Sequence, residues 1–229
     1  MKAIHAAAFV SLCFIFSTPA FANLLANGDF SVSPPGNGCA AGVTSIPGWS
    51  VTSGNIDLLS ASPPNCPGAA APDGTTYYVD LTGSFAEDGQ SDVGTIAQSF
   101  STVVGSSYHV SFYFGGNSQW QYTGYPNDGP VKSMAALLDG SLMNTYSVDT
   151  AGASYTNAQW QLEDFNFTAL SPVTTLSFAS LNGIGSPSDY GAFLADVQVD
   201  SVPEPASLAL FGTGILGLLV VSKRRRQCA

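Results

Sequence analysis

The chain has 229 residues, six Lys or Arg against sixteen Asp or Glu, and a formal net charge of −10. Five of the six basic residues lie at the ends, Lys2 and Lys223 to Arg226, so that only Lys132 lies in the body. A body this acidic repels phosphate backbones, which argues against nucleic acid as a partner, and its length gives one domain of ordinary size with room for a core.

The first 22 residues, MKAIHAAAFVSLCFIFSTPAFA, place Lys2 before an apolar run through Phe16, then Pro19 and small residues at Ala20 and Ala22. This is the pattern of a secretory signal peptide over 1–22, cut by signal peptidase between Ala22 and Asn23; an uncleaved membrane anchor is the alternative. An ectodomain over 23–201 follows. Export puts Cys39 and Cys66 in an oxidising compartment, in the loop-like stretches GNGCAAG and PPNCPGA. One disulfide between them is the simplest outcome. Closing a loop of about 26 residues contributes roughly 3 kcal/mol in the chain-entropy model. Two thiols without a nearby histidine make a poor zinc set.

The body then reads as short strands. In SSYHVSFYFGG the residues Tyr108, Val110, Phe112 and Phe114 fall on one face, and His109, Ser111 and Tyr113 on the other. That alternation predicts a strand with one buried side. The runs YYVDLTG, GTIAQSFSTV, QLEDFNFTAL, TTLSFASL and FLADVQVDS are similar, each bounded by turn-forming residues. Asp139-Gly140 in LLDGSL stands where a tight hairpin turn wants it. No stretch of the body offers a long amphipathic helical stripe. Many short strands with turns between them predict an all-β domain of two packed antiparallel sheets, a sandwich or jelly roll. Trp49 and Trp160 stand in strand-like contexts and are expected in the core.

The stretch GGNSQWQYTGYPNDGP carries Trp120, Tyr122 and Tyr125 in polar, Gly- and Pro-rich surroundings. Aromatic faces flanked by amides and carboxylates suit sugar rings, so these three are candidate carbohydrate-binding residues. Equally, the loop could fold its aromatics down to cap the open end of the sandwich. His109 is the one histidine of the body and has no G-x-S-x-G nucleophile motif to serve, so a Ser-His-Asp hydrolase lacks support. A glycoside hydrolase needs two carboxylates, for which Glu87, Asp88, Glu163 and Asp164 are the candidates. No catalytic residue is assigned.

The chain closes on VPEPASLALFGTGILGLLVVSKRRRQCA, residues 202–229. Ala206 to Ser222 is a run of 17 uncharged residues, about 26 Å long as a helix and slightly short of a typical hydrocarbon core. The cluster Lys223, Arg224, Arg225 and Arg226 behind it stays cytoplasmic, which leaves the body outside. Pro203 and Pro205 favour an extended segment that presents Glu204 at the membrane surface. Pro203-Glu204-Pro205, a short apolar span and a basic end resemble the PEP-CTERM sorting signal of Gram-negative bacteria. The resemblance implies processing by an exosortase, transient anchoring in the inner membrane through 206–222, and delivery to the cell surface or extracellular matrix.

A second resemblance covers most of the body. NLLANGDF, IPGWSVTSGNIDLL, YYVDLTG, GTIAQSFST with YHVSFYFGGN, and FLADVQV occur in the order of the choice-of-anchor C domain. That domain is similar to a domain of unknown function in plant cell-wall proteins, and both are placed with galactose-binding-like jelly rolls. The resemblance implies a structural Ca²⁺ between the first and last strands, with Asp29 and Asp196 as its candidate oxygen ligands; Ser31 and Ala195 stand where relatives often carry acids. Carboxylates of a turn and a strand end are the plainer reading of both.

The sequence therefore predicts an exported surface or matrix protein that associates with extracellular polysaccharide through a non-catalytic β-sandwich. A purely structural matrix protein and a glycoside hydrolase are the alternatives. Replacing Glu204 by Ala, or Arg224 to Arg226 by Ser, is expected to leave unprocessed or misplaced protein in cell fractionation. Unchanged surface delivery of both variants would contradict the sorting reading.

Overall fold

The computed structural model describes residues 22–32, 39–60, 69–83, 93–123, 129–183 and 190–203. The expected signal peptide up to Phe21, Cys66, and the tail from Glu204 onward lie outside the described residues, as do Glu87, Asp88 and Tyr125. Cys39 is disulfide-bonded.

Among the described residues twelve strands form two six-stranded antiparallel sheets. The strands are β1 (Ala40–Val43), β2 (Ser45–Ile46), β3 (Trp49–Ser53), β4 (Ile56–Ser60), β5 (Tyr77–Asp80) and β6 (Thr95–Ser101), then β7 (Ser107–Gly116), β8 (Val131–Leu138), β9 (Ser141–Asp149), β10 (Gln161–Thr168), β11 (Val173–Ser180) and β12 (Ala192–Ser201). The first sheet runs β1-β4-β5-β12-β7-β10 and the second β2-β3-β6-β11-β8-β9. Helical structure among the described residues is confined to a 3₁₀ turn at Pro72–Gly74 and one turn, α1, at Trp120–Thr123. Asp139 and Gly140 join β8 to β9 with φ of 48° and 78°, the left-handed pair that a two-residue hairpin turn needs.

Alternation in the strands selects the core. Tyr108, Val110, Phe112 and Phe114 of β7 face Leu176 and Phe178 of β11 and Met134, Ala136 and Leu138 of β8, all buried between the sheets. Phe112 packs edge-on against Phe178 at 4.9 Å and against Tyr146 of β9 at 5.1 Å. Each such pair adds about 0.5–1.5 kcal/mol beyond area burial. Trp49 is buried as expected and continues the cluster to Phe30 at 5.7 Å.

The segment from Asn23 to Phe30 closes this core and touches both sheets. β5 pairs with β12 only at Phe193 and Leu194. Beyond a bulge between Ala195 and Gln198, Leu24 donates to the Val199 carbonyl and Val197 donates to the Gly28 carbonyl, so the N-terminal segment covers what would be an open edge. Asn23 reinforces this contact, accepting from the Val199 amide at 3.0 Å and donating to the Val197 carbonyl at 2.8 Å. On the other sheet, Gln98 of β6 accepts from the Ala26 amide at 2.6 Å and donates back to its carbonyl at 2.9 Å. Trp49 Nε1 donates to the Asn27 carbonyl. Gly28 admits no side chain, because a Cβ there would lie 2.1 Å from the Val197 carbonyl oxygen.

Gln98→Leu keeps the volume but strands the Ala26 amide and carbonyl, and is expected to cost about 1–3 kcal/mol for each group left unpaired. Ser99→Ala, which removes only an exposed hydroxyl contact to Thr175, should stay within about 0.5 kcal/mol. Denaturant unfolding of the two variants checks the contrast.

Candidate functional site

The outward face of the first sheet carries the polar side chains of its three longest strands in register. In antiparallel pairing directly opposed residues share a face. Asp200, His109 and Asn166 form one row across β12, β7 and β10, and Gln198, Ser111 and Asp164 form the next. Ala195, Tyr113 and Leu162 make the third. His109 Nε2 lies 3.2 Å from Asp164 Oδ2, both groups open to solvent. Ala195 is buried and Tyr113 half-buried, whereas Leu162 is exposed.

Past the third row the face is roofed by aromatic packing. Tyr78, Phe193 and Trp160 form a second cluster on this outer side, with Tyr78 and Phe193 at 4.9 Å and Tyr78 and Trp160 edge-on at 5.5 Å. Trp160 Nε1 donates to the Ala70 carbonyl at 2.7 Å. Trp160, expected in the core, is instead only partly buried, in this outer cluster, over Gly115, where a Cβ would meet its ring at 2.8 Å. The result is a polar sheet surface that ends in an aromatic step made by Tyr113 and Trp160.

The candidate residues of the 115–130 stretch are placed differently. Trp120 is half-buried, donates from Nε1 to Thr150 Oγ1 at 2.8 Å, and lies over Lys132 with Nζ 6.0 Å from its ring centroid. Lys132 faces inward on β8 and is fully buried, so the face of Trp120 supplies part of what a cation taken out of water needs. The backbone of Tyr122 lies in α1; its side chain, and Tyr125, lie outside the described residues.

A buried carboxyl group supports this end of the sandwich. Asp80 accepts from Asn117 Nδ2 at 2.9 Å, from the Thr82 amide at 2.9 Å and from the Gly191 amide. Asn117 in turn caps the Gln119 amide at the base of α1, and Thr82 shares a hydroxyl contact with Ser180 at 2.8 Å. Complete burial pushes the Asp80 carboxyl up to about 8, against the pull of Asn117 and of the backbone donors, with Asp57 adding to the rise. YYVDLTG gave no cue from charge alone. The cue is that Tyr78 and Val79 are both apolar, which marks a strand buried on two faces.

Glu163 and Asp164 are neighbours in β10 and therefore point to opposite faces, with Glu163 opposite Phe112 and Asp164 opposite Ser111. That pair cannot flank one glycosidic bond. Burial, and then Asp164, raise the Glu163 carboxyl.

The segments of Asp29 and Asp196 lie side by side, joined through Gly28 and Val197. Asp29 caps the Ser31 amide, Asp196 accepts from Gln198, and the Gly28 and Val197 carbonyls already accept from protein donors. Ca²⁺ takes six to eight oxygens, several of which can be backbone carbonyls; in this structure hydrogen bonds join the two segments. Among the described residues no group of three or more His, Cys, Asp or Glu could hold a metal.

Comparison with known proteins divides the chain into a domain and a sorting motif. Residues 23–200 match the family described as "Protein of unknown function (DUF642)", and residues 201–226 match the PEP-CTERM protein-sorting motif. The chain belongs to the DUF642 family and carries the sorting motif of exosortase substrates, the mark of proteins exported to the surface of Gram-negative bacteria. No curated protein matches it. A solved Stig cyclase from Fischerella sp. TAU is similar in fold, with 16% identity and a TM-score of 0.51, over 81% of this chain and 100% of the cyclase. TmCBM61 in complex with beta-1,4-galactotriose matches at 16% identity and a TM-score of 0.46, over 79% of this chain and 99% of that one. A family 35 carbohydrate binding module from an environmental isolate matches at 15% identity and a TM-score of 0.37, over 60% of this chain and 85% of that one.

The unfolded chain releases the Asp80 proton in the ordinary carboxylate range, while the folded chain keeps it to about 8. Stability therefore falls as pH rises across that window. Melting curves should show this slope in the native sequence and its loss in Asp80→Asn.

Proposed function

We propose that this protein is an exosortase-processed component of the cell surface or extracellular matrix, and that its sandwich associates with extracellular polysaccharide without cleaving it. In this reading residues 206–222 hold the chain in the inner membrane until processing near Glu204, after signal peptidase has removed residues 1–22. A disulfide between Cys39 and Cys66 steadies the exported domain.

The observation that carries the glycan reading is the in-register surface of β12, β7 and β10. Sugar rings offer apolar C–H faces within a rim of hydroxyls, and they bind where an aromatic surface stands beside several polar groups. Tyr113 and the edge of Trp160 supply the first. His109, Asp164, Asn166, Gln198 and Asp200 supply the second, on rigid strands rather than on loops. Trp120 is a weaker platform because its indole N–H and one ring face are already engaged. The opposed directions of Glu163 and Asp164 favour binding over hydrolysis.

Tyr113→Ala is expected to weaken binding to extracellular polysaccharide about tenfold, a loss of roughly 1.4 kcal/mol. Thr145→Ala, on β9 of the other sheet, should leave binding unchanged in the same titration, with no reducing sugar released by either protein. Equal affinity of the two variants would overturn the sheet-face assignment, and the absence of saturable binding would favour a purely structural matrix role.

A further inference from the structure

Two loops cross from sheet to sheet at the end of the sandwich where the chain leaves for its sorting tail. One joins β6 to β7 through Thr102–Ser106, and the other joins β10 to β11 through Ala169–Pro172. They are tied together: Gly105 donates to the Ala169 carbonyl, Ala169 to the Ser106 carbonyl, and Thr102 to the Pro172 carbonyl. Val202, just past β12, donates to the Ser107 carbonyl and so lies at the same end.

The tips of these loops are apolar and exposed. Leu170 is 89% exposed, Val103 66% and Val104 61%, with Val202 at 42% beside them. Neither loop contains a charged residue, in a chain of net charge −10. A groove of about 310 Å³ opens next to them, lined by Leu138, Met143, Phe167 and Leu170 together with the polar Asp139 and Thr174. Water gains nothing from such an arrangement, and a rigid cluster of this kind marks an interaction surface.

The exit of the chain identifies the partner. Between Val202 and the uncharged run that begins at Ala206 stand only Pro203, Glu204 and Pro205. Three extended residues reach about 10 Å, whereas the polar headgroup layer on each side of a bilayer is roughly 5–8 Å deep. With the run inserted, the loop tips have to lie at the lipid surface. We propose that Val103, Val104 and Leu170 form a membrane-contact apex, which dips into the interface of the bilayer and holds the sandwich upright on its anchor. This rests on the sorting-signal reading of the tail. Because the body's one lysine is buried and the body has no arginine, the contact is apolar and independent of salt.

The full chain is reconstituted in phosphatidylethanolamine and phosphatidylglycerol vesicles, with a tryptophan introduced in turn as Val104→Trp, Leu170→Trp and, at the opposite end of β10, Leu162→Trp. The added emission at 104 and 170 should be blue-shifted and lost with brominated acyl chains, at low and high salt alike. That at 162 should stay accessible to acrylamide. Emission at 104 and 170 that remains open to acrylamide in co-floating protein overturns the apex while leaving the anchor intact. Emission shielded from both quenchers means that protein covers the tips, and overturns it as well. Protein that does not co-float with vesicles overturns the anchored state and the apex together.

Discussion

The fold depends on one short segment being paired with both sheets at once. Residues 23–28 lie along β12 past its bulge and, on the opposite side, exchange two hydrogen bonds with Gln98 of β6. Without that segment β12 would show an unpaired edge, and Trp49 would lose the Asn27 carbonyl that its indole N–H meets. The same strand carries Gln198 and Asp200 to the polar face and then leads into the sorting motif. The first residues of the sandwich thus fix the strand on which both its outward face and its exit depend.

This arrangement also fixes the strands beneath the polar, solvent-facing side. β7 lies between β12 and β10, and its inward side is locked by Phe112 against Phe178 and Tyr146. The outward residues inherit that rigidity, so little conformational entropy remains to be lost when a ligand orders them. At one end of the face the aromatic cluster around Trp160 shields Asp80 from above. At the other, the uncharged loops around Leu170 mark where the domain meets its tail. The surface has direction: a polar face along the strands, and an apolar apex at the exit.

Much of this was legible in the sequence, because strand alternation is a property of the backbone. The inward set of β7 and the Asp139-Gly140 turn both follow from period two and from left-handed turn residues. The clasp was not legible, since Asn23 and Val197 are 174 positions apart and a hydrogen bond to a carbonyl leaves no compositional trace. Trp120 was ambiguous for a different reason. A tryptophan in a polar loop suits a sugar platform or a cap equally well, and only the positions of Thr150 and Lys132 decide which way its ring turns. The proposed glycan surface lies accordingly not on that loop but at His109, Ser111 and Tyr113, residues that the alternation already puts on the outward face of their strand.

In the proposed function the strand face of β12, β7 and β10 is the surface that meets polysaccharide. Backbone amide shifts of the isotope-labelled protein, followed by NMR during titration with extracellular polysaccharide from a Gram-negative bacterium that carries an exosortase, test it most directly. Shifts concentrated at residues 109–113, 162–166 and 195–200 are the expected result. Shifts confined to other surfaces, or none at saturating polysaccharide, would contradict it.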